Sequence, residues 1–301
     1  MKPTLLVLAA GMGSRYGGLK QVDKLGPQGE TIIDYSIYDA LHAGFGKVIF
    51  VIRKSIEQEF KETFLNKYAG KIAIDYVLQE ISMVPADVVV SPDRVKPWGT
   101  GHAVLMAEEK IHEPFAVING DDFYGREAFA VMAKFLNNLP QTSSSVAMAM
   151  VGYQLGKTLS ENGYVSRGIC FTSDKAELTD VKECTHIERK NGQIVSVEND
   201  VTRILAPSTT VSMNFWGFTP AIFGHLNKMF SSFAKENANN IKAEFYIPFV
   251  VNNLIASGEG SVKVLGSDAE WFGVTYKEDR PFVVRKLQQL VDNKVYPSPL
   301  W

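Results

Sequence analysis

Leu5-Leu-Val-Leu-Ala-Ala-Gly-Met-Gly-Ser-Arg-Tyr-Gly-Gly-Leu-Lys-Gln21 runs from an unbroken apolar stretch straight into a glycine-rich segment carrying an arginine and a lysine. The apolar part reads as a strand buried on both faces of a parallel sheet. Glycines at 11, 13, 17 and 18 let backbone N–H groups turn inward and approach an anion with no Cβ in the way. Arg15 and Lys20 add positive charge. Such a segment suits a polyphosphate, although its spacing is neither GxxxxGK[ST] nor a GxGxxG opening directly onto a helix.

Outward from this stretch, apolar runs alternate with helical patterns. Thr31 is placed to cap a helix over 32–43 and Gly44 to stop it, and 47–53 follows as a second strand. Ser55 and Gln58 read as a capping box for a helix reaching about residue 67. Residues 72–78 form a third strand, 101–109 a short helix and 114–119 a fourth strand. This βαβ alternation predicts an α/β fold with a mainly parallel central sheet flanked by helices. Ligands then bind at the carboxyl ends of the strands, where Gly11 to Lys20, Gln79 and Asp121 gather. From about residue 145 the pattern turns to strands at 146–153, 164–171, 177–188, 193–197 and 209–218, with Asn191-Gly192 marking a tight hairpin. Helices over 220–237 and 244–257, a strand at 262–265 and a helix over 277–293 complete a mixed sheet.

With 301 residues, 46% of them hydrophobic, the chain can bury a large core. Lys and Arg total 31 against 33 Asp and Glu, so no basic field argues for nucleic acid and a small-molecule partner is expected. Cys170 and Cys184 have neither disulfide-framework nor zinc spacing and read as small buried hydrophobes of neighbouring strands in a reducing cytoplasm. Lys2 before the first apolar stretch mimics a secretory signal, but that stretch is too short, and no run reaches the roughly 18 residues of a membrane span. The aromatic residues of the second half, among them Phe215, Trp216, Trp271 and Tyr276, point to core packing or to the subunit contact of a homo-oligomer.

The opening stretch resembles the LAAGxGxR…K signature of the sugar-1-phosphate nucleotidylyltransferases. Matches continue in that family's order with Gln79, Gly99-Thr-Gly-His-Ala-Val104, Gly120-Asp121 and Gly163-Tyr-Val165, then Glu183, Asn214 and Glu244-Phe-Tyr-Ile-Pro248. The resemblance implies a Rossmann-like, glycosyltransferase-A type fold in one domain over 1–301. Its nucleotide-binding half would be 1–140, its acceptor-binding half 141–275, and a C-terminal helix and tail 276–301. It implies transfer of a nucleoside monophosphate from a nucleoside triphosphate to a sugar 1-phosphate, releasing pyrophosphate with Mg²⁺ as cofactor. Such chemistry needs in-line positioning and charge neutralisation rather than a protein nucleophile.

By the same resemblance Ala10, Gly11, Gly13, Ser14 and Arg15 contact the triphosphate and Lys20 the α-phosphate or the incoming phosphate. Asp121 holds the metal, and its hard carboxylate at the sheet's carboxyl edge suits Mg²⁺. Gln79 and Gly99, Thr100 and Gly101 read the base edge without choosing among uracil, thymine and cytosine, while His102, beginning a helix, reads as structural. Gly163, Glu183 and Asn214 contact the acceptor. Two departures stand out. A late metal aspartate is replaced by Gly273, with Asp268 or Glu270 as substitutes, and the lysine of a Glu-Lys-Pro motif is replaced by Cys184, with Arg189 or Lys190 as substitutes. They keep two alternatives open: a cytidylyltransferase-type enzyme acting on a non-sugar phosphate such as phosphocholine, and a nucleotide-binding relative with impaired catalysis.

Overall fold

The first strand, β1 (Thr4–Leu8), is buried along its whole length, as its apolar sequence requires when parallel neighbours flank it. The computed structural model describes residues 1–10, 23–139, 146–198 and 201–301. In chain order the elements after β1 are α1 (Ile32–Ala43), β2 (Lys47–Ile52), α2 (Glu57–Phe60), β3 (Ala73–Leu78) and α3 (Thr100–Leu105). Then come β4 (Phe115–Asn119), β5 (Asp122–Phe123), α4 (Arg126–Asn137), β6 (Val146–Gln154), β7 (Val165–Thr172) and β8 (Leu178–Lys190). The chain continues with β9 (Gln193–Glu198), β10 (Val201–Leu205), β11 (Thr210–Phe218), α5 (Ile222–Glu236), α6 (Ile247–Ala256), β12 (Gly260–Gly266), β13 (Phe272–Gly273) and α7 (Arg280–Asp292).

Strands β3, β2, β1 and β4 pair in parallel, and β11 continues the same sheet antiparallel against β4. Beyond β11 the sheet forks. One arm runs β7, β8, β9 and β10, all antiparallel; the other is β6 followed by β12. Mixed pairing with a parallel centre is the architecture expected from the sequence, and it joins strands of both halves of the chain in one sheet.

Alternation along β1 sends its side chains into two cores. Leu5 and Val7 pack on one face with residues of α1 and α4, and Leu6 and Leu8 on the other with residues of α3, α5 and α6. A third cluster joins Tyr35 of α1 to Phe123, Phe272, Val283 and the tail residue Tyr296. The tail is also pinned by a hydrogen bond of 2.6 Å from the Tyr296 hydroxyl to buried Asp39, whose carboxyl burial pushes up to about 7.

Local signals succeeded where the chain itself supplied the partner. Thr31 and Asp34 form a capping box at α1, Gly44 ends it in the left-handed conformation, and Asn191 and Gly192 both take positive φ in the β8–β9 turn. Cys170 and Cys184 are buried and free in neighbouring strands. Ser55 is a correction. The region 54–65 is a 3₁₀ turn, one α turn and a π turn, with no side-chain cap, because Phe60 and Phe64 follow the core against Phe50 rather than a regular helical repeat. The pattern also passed over β10, whose residues are almost all exposed, and the two-residue pair β5–β13.

Candidate functional site

Polar groups gather at the carboxyl edge of the parallel strands. At the end of β3, the Gln79 N–H donates to Ile52 O at 2.8 Å, which leaves the buried side chain starting at that edge. Its Nε2 donates to Gly99 O at 3.0 Å and lies 3.1 Å from His102 Nδ1, so the fold brings Gln79 and the 99–101 turn together. Gly99, at φ 100°, and Gly101 are glycines for packing reasons: a Cβ on either would meet Phe245 at under 3 Å. Thr100 Oγ1 accepts from Ile247 N at 3.1 Å. His102 is fully buried between its two hydrogen bonds, and burial pushes its imidazole pKa down to about 4.

Three strand intervals away, roughly 14 Å at the usual spacing, β4 ends in Asn119. The Gly120 N–H donates to Leu8 O at 3.0 Å, holding the 120–122 turn against the end of β1 and buried Ala10. Asn119 Nδ2 donates to Asp122 Oδ2 at 2.9 Å, and Asn119 Oδ1 accepts from Asn214 Nδ2 at 2.7 Å. Asn214 sits at an irregularity in β11 with φ 63°, a left-handed conformation that asparagine tolerates. Its Oδ1 accepts from Trp216 Nε1 at 3.0 Å. The Tyr124 hydroxyl, buried below, donates to Met213 O at 2.9 Å. Asp121 and Asp122 are both half-buried beside this network.

Gly273 pairs with Asp122 across β13 and β5. A Cβ at Gly273 would come within 2.8 Å of Asp122 Oδ1 and 3.5 Å of Asp121 O. The space beside the Gly273 Cα is therefore already filled, and the Asp122 carboxylate packs directly against it. Of the two substitutes, Glu270 has its carboxylate engaged by Lys286, while Asp268 is exposed and gives its backbone N–H to Glu127 Oε2. The hard carboxylate oxygens of Asp121 and Asp122 suit Mg²⁺ by their chemistry, and among the described residues no group of three or more His, Cys, Asp or Glu could hold a metal unaided. Phosphate oxygens and water would complete its shell, as Mg²⁺ prefers.

In the antiparallel arm, Arg167 occupies an inward position of β7 between Val165 and Ile169, in register with Cys184 of β8. Its guanidinium donates to Thr158 Oγ1, Thr158 O and Ser166 O and lies 4.7 Å from the Trp271 ring centroid. Burial pulls its pKa down to about 10, while Asp122, Glu183 and Asp279 oppose that shift. Glu183 pairs with Gly168, and partial withdrawal from water raises its carboxyl pKa against the pull of Arg167. Gly163 passes under Tyr276, whose hydroxyl donates to Tyr164 O at 2.6 Å, and Asp279 anchors the same loop through Ser160 and Asn162. Arg189 and Lys190 sit exposed at the tip of the β8–β9 hairpin.

Gly11, Gly13, Ser14, Arg15 and Lys20 lie outside the described residues. Sequence reasoning passed over Arg167, whose signal was a cation at an inward, period-two position of an apolar strand; His102, read there as structural, is buried between two hydrogen bonds.

The profile of the family described as nucleotidyl transferase matches residues 4–274. The chain is 23% identical over 287 residues to a UTP–glucose-1-phosphate uridylyltransferase, AglF, of Haloferax volcanii, covering 94% of this chain and 96% of that one. Among solved structures it resembles a Bacillus anthracis protein described as a glucose-1-phosphate thymidylyltransferase, with a TM-score of 0.63 at 11% identity and 95% of each chain covered. It also resembles a UDP-glucose pyrophosphorylase complexed with UDP-glucose, with a TM-score of 0.59 at 19% identity, covering 96% and 99% of the two chains.

Proposed function

Because this chain belongs to the nucleotidyl transferase family, we propose that it transfers a nucleoside monophosphate from a nucleoside triphosphate to a sugar 1-phosphate and releases pyrophosphate. A phosphate oxygen of the acceptor attacks the α-phosphorus, and the bond from that phosphorus to the bridging oxygen of the β-phosphate breaks. The observation that carries the reading is the edge itself: Gln79, the Asn119 to Asp122 turn with Gly273 packed against it, and Asn214 line up on one rim of a sheet built by both halves of the chain.

In this reading Gln79 meets the base, and the segment from Gly11 to Lys20, continuing from Ala10, surrounds the triphosphate with N–H donors and two cations. Asp121 and Asp122 hold Mg²⁺, which when bound neutralises phosphate charge at the reacting phosphorus. Asn119 orients Asp122, and Glu183 accepts hydrogen bonds from acceptor hydroxyls. Arg167, cross-strand from the position where the phosphate-binding lysine is lost, offsets the carboxylates around the acceptor. Cys184 favours one second reading, a non-sugar phosphate as acceptor. Pyrophosphate release, measured with Mg²⁺ over four triphosphates and a panel of sugar 1-phosphates plus phosphocholine, separates them. Release with a sugar 1-phosphate supports the proposal, release with phosphocholine alone supports the second reading, and release with none sinks both.

A further inference from the structure

The hydrogen bonds of His102 determine which way the amide of Gln79 faces. Met83 O can only accept, so His102 Nε2, 2.8 Å away, carries a proton. Burial drives the imidazole pKa to about 4, so near neutral pH the ring is uncharged and Nδ1 is a bare lone pair. Gln79 Nε2 lies 3.1 Å from that lone pair and 3.0 Å from Gly99 O. Both are acceptors, and only an NH₂ group serves both. Turning the amide over would press its oxygen against two lone pairs inside the protein. Oε1 therefore faces the other way; no donor among the described residues reaches it, and it is not sealed from solvent.

The arrangement is rigid. The His102 ring is fully buried and stacks on Phe230 with centroids 4.4 Å apart. Its helix is held where Gly101 N–H donates to Phe245 O at 2.8 Å, and Gln79 is tied to β2 through its own N–H.

Resting on the nucleotide reading of this edge, we propose that His102 is a positioning residue that locks Gln79 as an acceptor, so that the site selects a pyrimidine carrying an imide N–H, uracil or thymine, over cytosine. Uracil and thymine present a donor at ring N3 between two carbonyls. Cytosine has a lone pair at N3, which would face the lone pairs of Oε1, and its only donor on that edge is displaced to the exocyclic amine. Glutamine alone is neutral to this choice, since a free amide turns over.

The test is titration calorimetry of UTP, CTP and N3-methyl-UTP with the full chain and Mg²⁺, without acceptor, alongside pyrophosphate release with acceptor. UTP should bind roughly ten- to a hundred-fold tighter than CTP or N3-methyl-UTP, the usual consequence of a ligand covering an acceptor and leaving it unpaired. His102→Leu, checked for folding by its melting curve, should bring the UTP to CTP ratio close to one. His102→Asn, which can place an amide oxygen where Nδ1 was, should keep the preference. Equal binding of UTP and N3-methyl-UTP by the wild type overturns the proposal, as does an unchanged ratio in folded His102→Leu. Should His102→Leu not fold, the methylated nucleotide decides alone. Binding and turnover without an imide preference reject this inference only; a chain that neither binds nor turns over any triphosphate rejects the nucleotidyl reading beneath it.

Discussion

At the end of β3, Gln79, His102, Gly99 O and Met83 O form a buried chain of hydrogen bonds in which no member is charged. Across the sheet, on β7 and β8, Arg167 is equally buried but stands among the carboxylates of Asp122, Glu183 and Asp279. The first region fixes the direction of a donor and an acceptor, which is what reading a base requires. The second fixes charge, which is what bringing two phosphates together requires. Where groups are neutral, geometry carries specificity; where they are ionised, the balance of burial against neighbouring charge sets their behaviour.

Substitutions should respect that division. The largest effect is expected at Asp121, whose carboxylate is assigned to Mg²⁺: Asp121→Asn should lower kcat by about 10²-fold or more while leaving the melting temperature and the UTP to CTP binding ratio in place. Turnover that stays Mg²⁺-dependent and undiminished would take Asp121 out of the charged region's chemistry. Glu183→Ala should raise KM for the acceptor by roughly three- to ten-fold, the worth of a hydrogen bond or two, with KM for the triphosphate unchanged. A rise in both constants would erase the boundary between the two regions. The smallest effect is predicted at Gly273, where φ is unremarkable and the constraint is contact alone. Gly273→Ala places a methyl 2.8 Å from Asp122 Oδ1 and should cost about 1 kcal/mol of stability, read from chemical denaturation, by displacing that carboxylate. A variant of full stability with unaltered turnover would mean the contact has slack and Asp122 does not depend on it.

Much of the fold was legible because its signals are local. The apolar stretch before Gly11 reads as a buried strand, Thr31 stands where a helix cap belongs, and Asn191-Gly192 supplies the positive φ that a tight hairpin needs. Ser55 misled because a capping pattern is a weak preference and the aromatic core around Phe50 overrode it. β10 stayed hidden because its residues are exposed and leave no period-two record.

The candidate site divides the same way. Residue types and their order marked Gln79, Asp121, Glu183 and Asn214, and the absence of charge bias pointed to a small-molecule partner. Only the tertiary structure decided how those residues are held: that Gly273 packs against Asp122, that Arg167 stands cross-strand from Cys184, and that the Gln79 amide answers to an imidazole 23 positions along the chain. A residue's period, cap or turn conformation is fixed by neighbours in sequence, whereas the partner of a buried donor is whichever group the fold delivers within about 3 Å, and the chain order does not contain that distance.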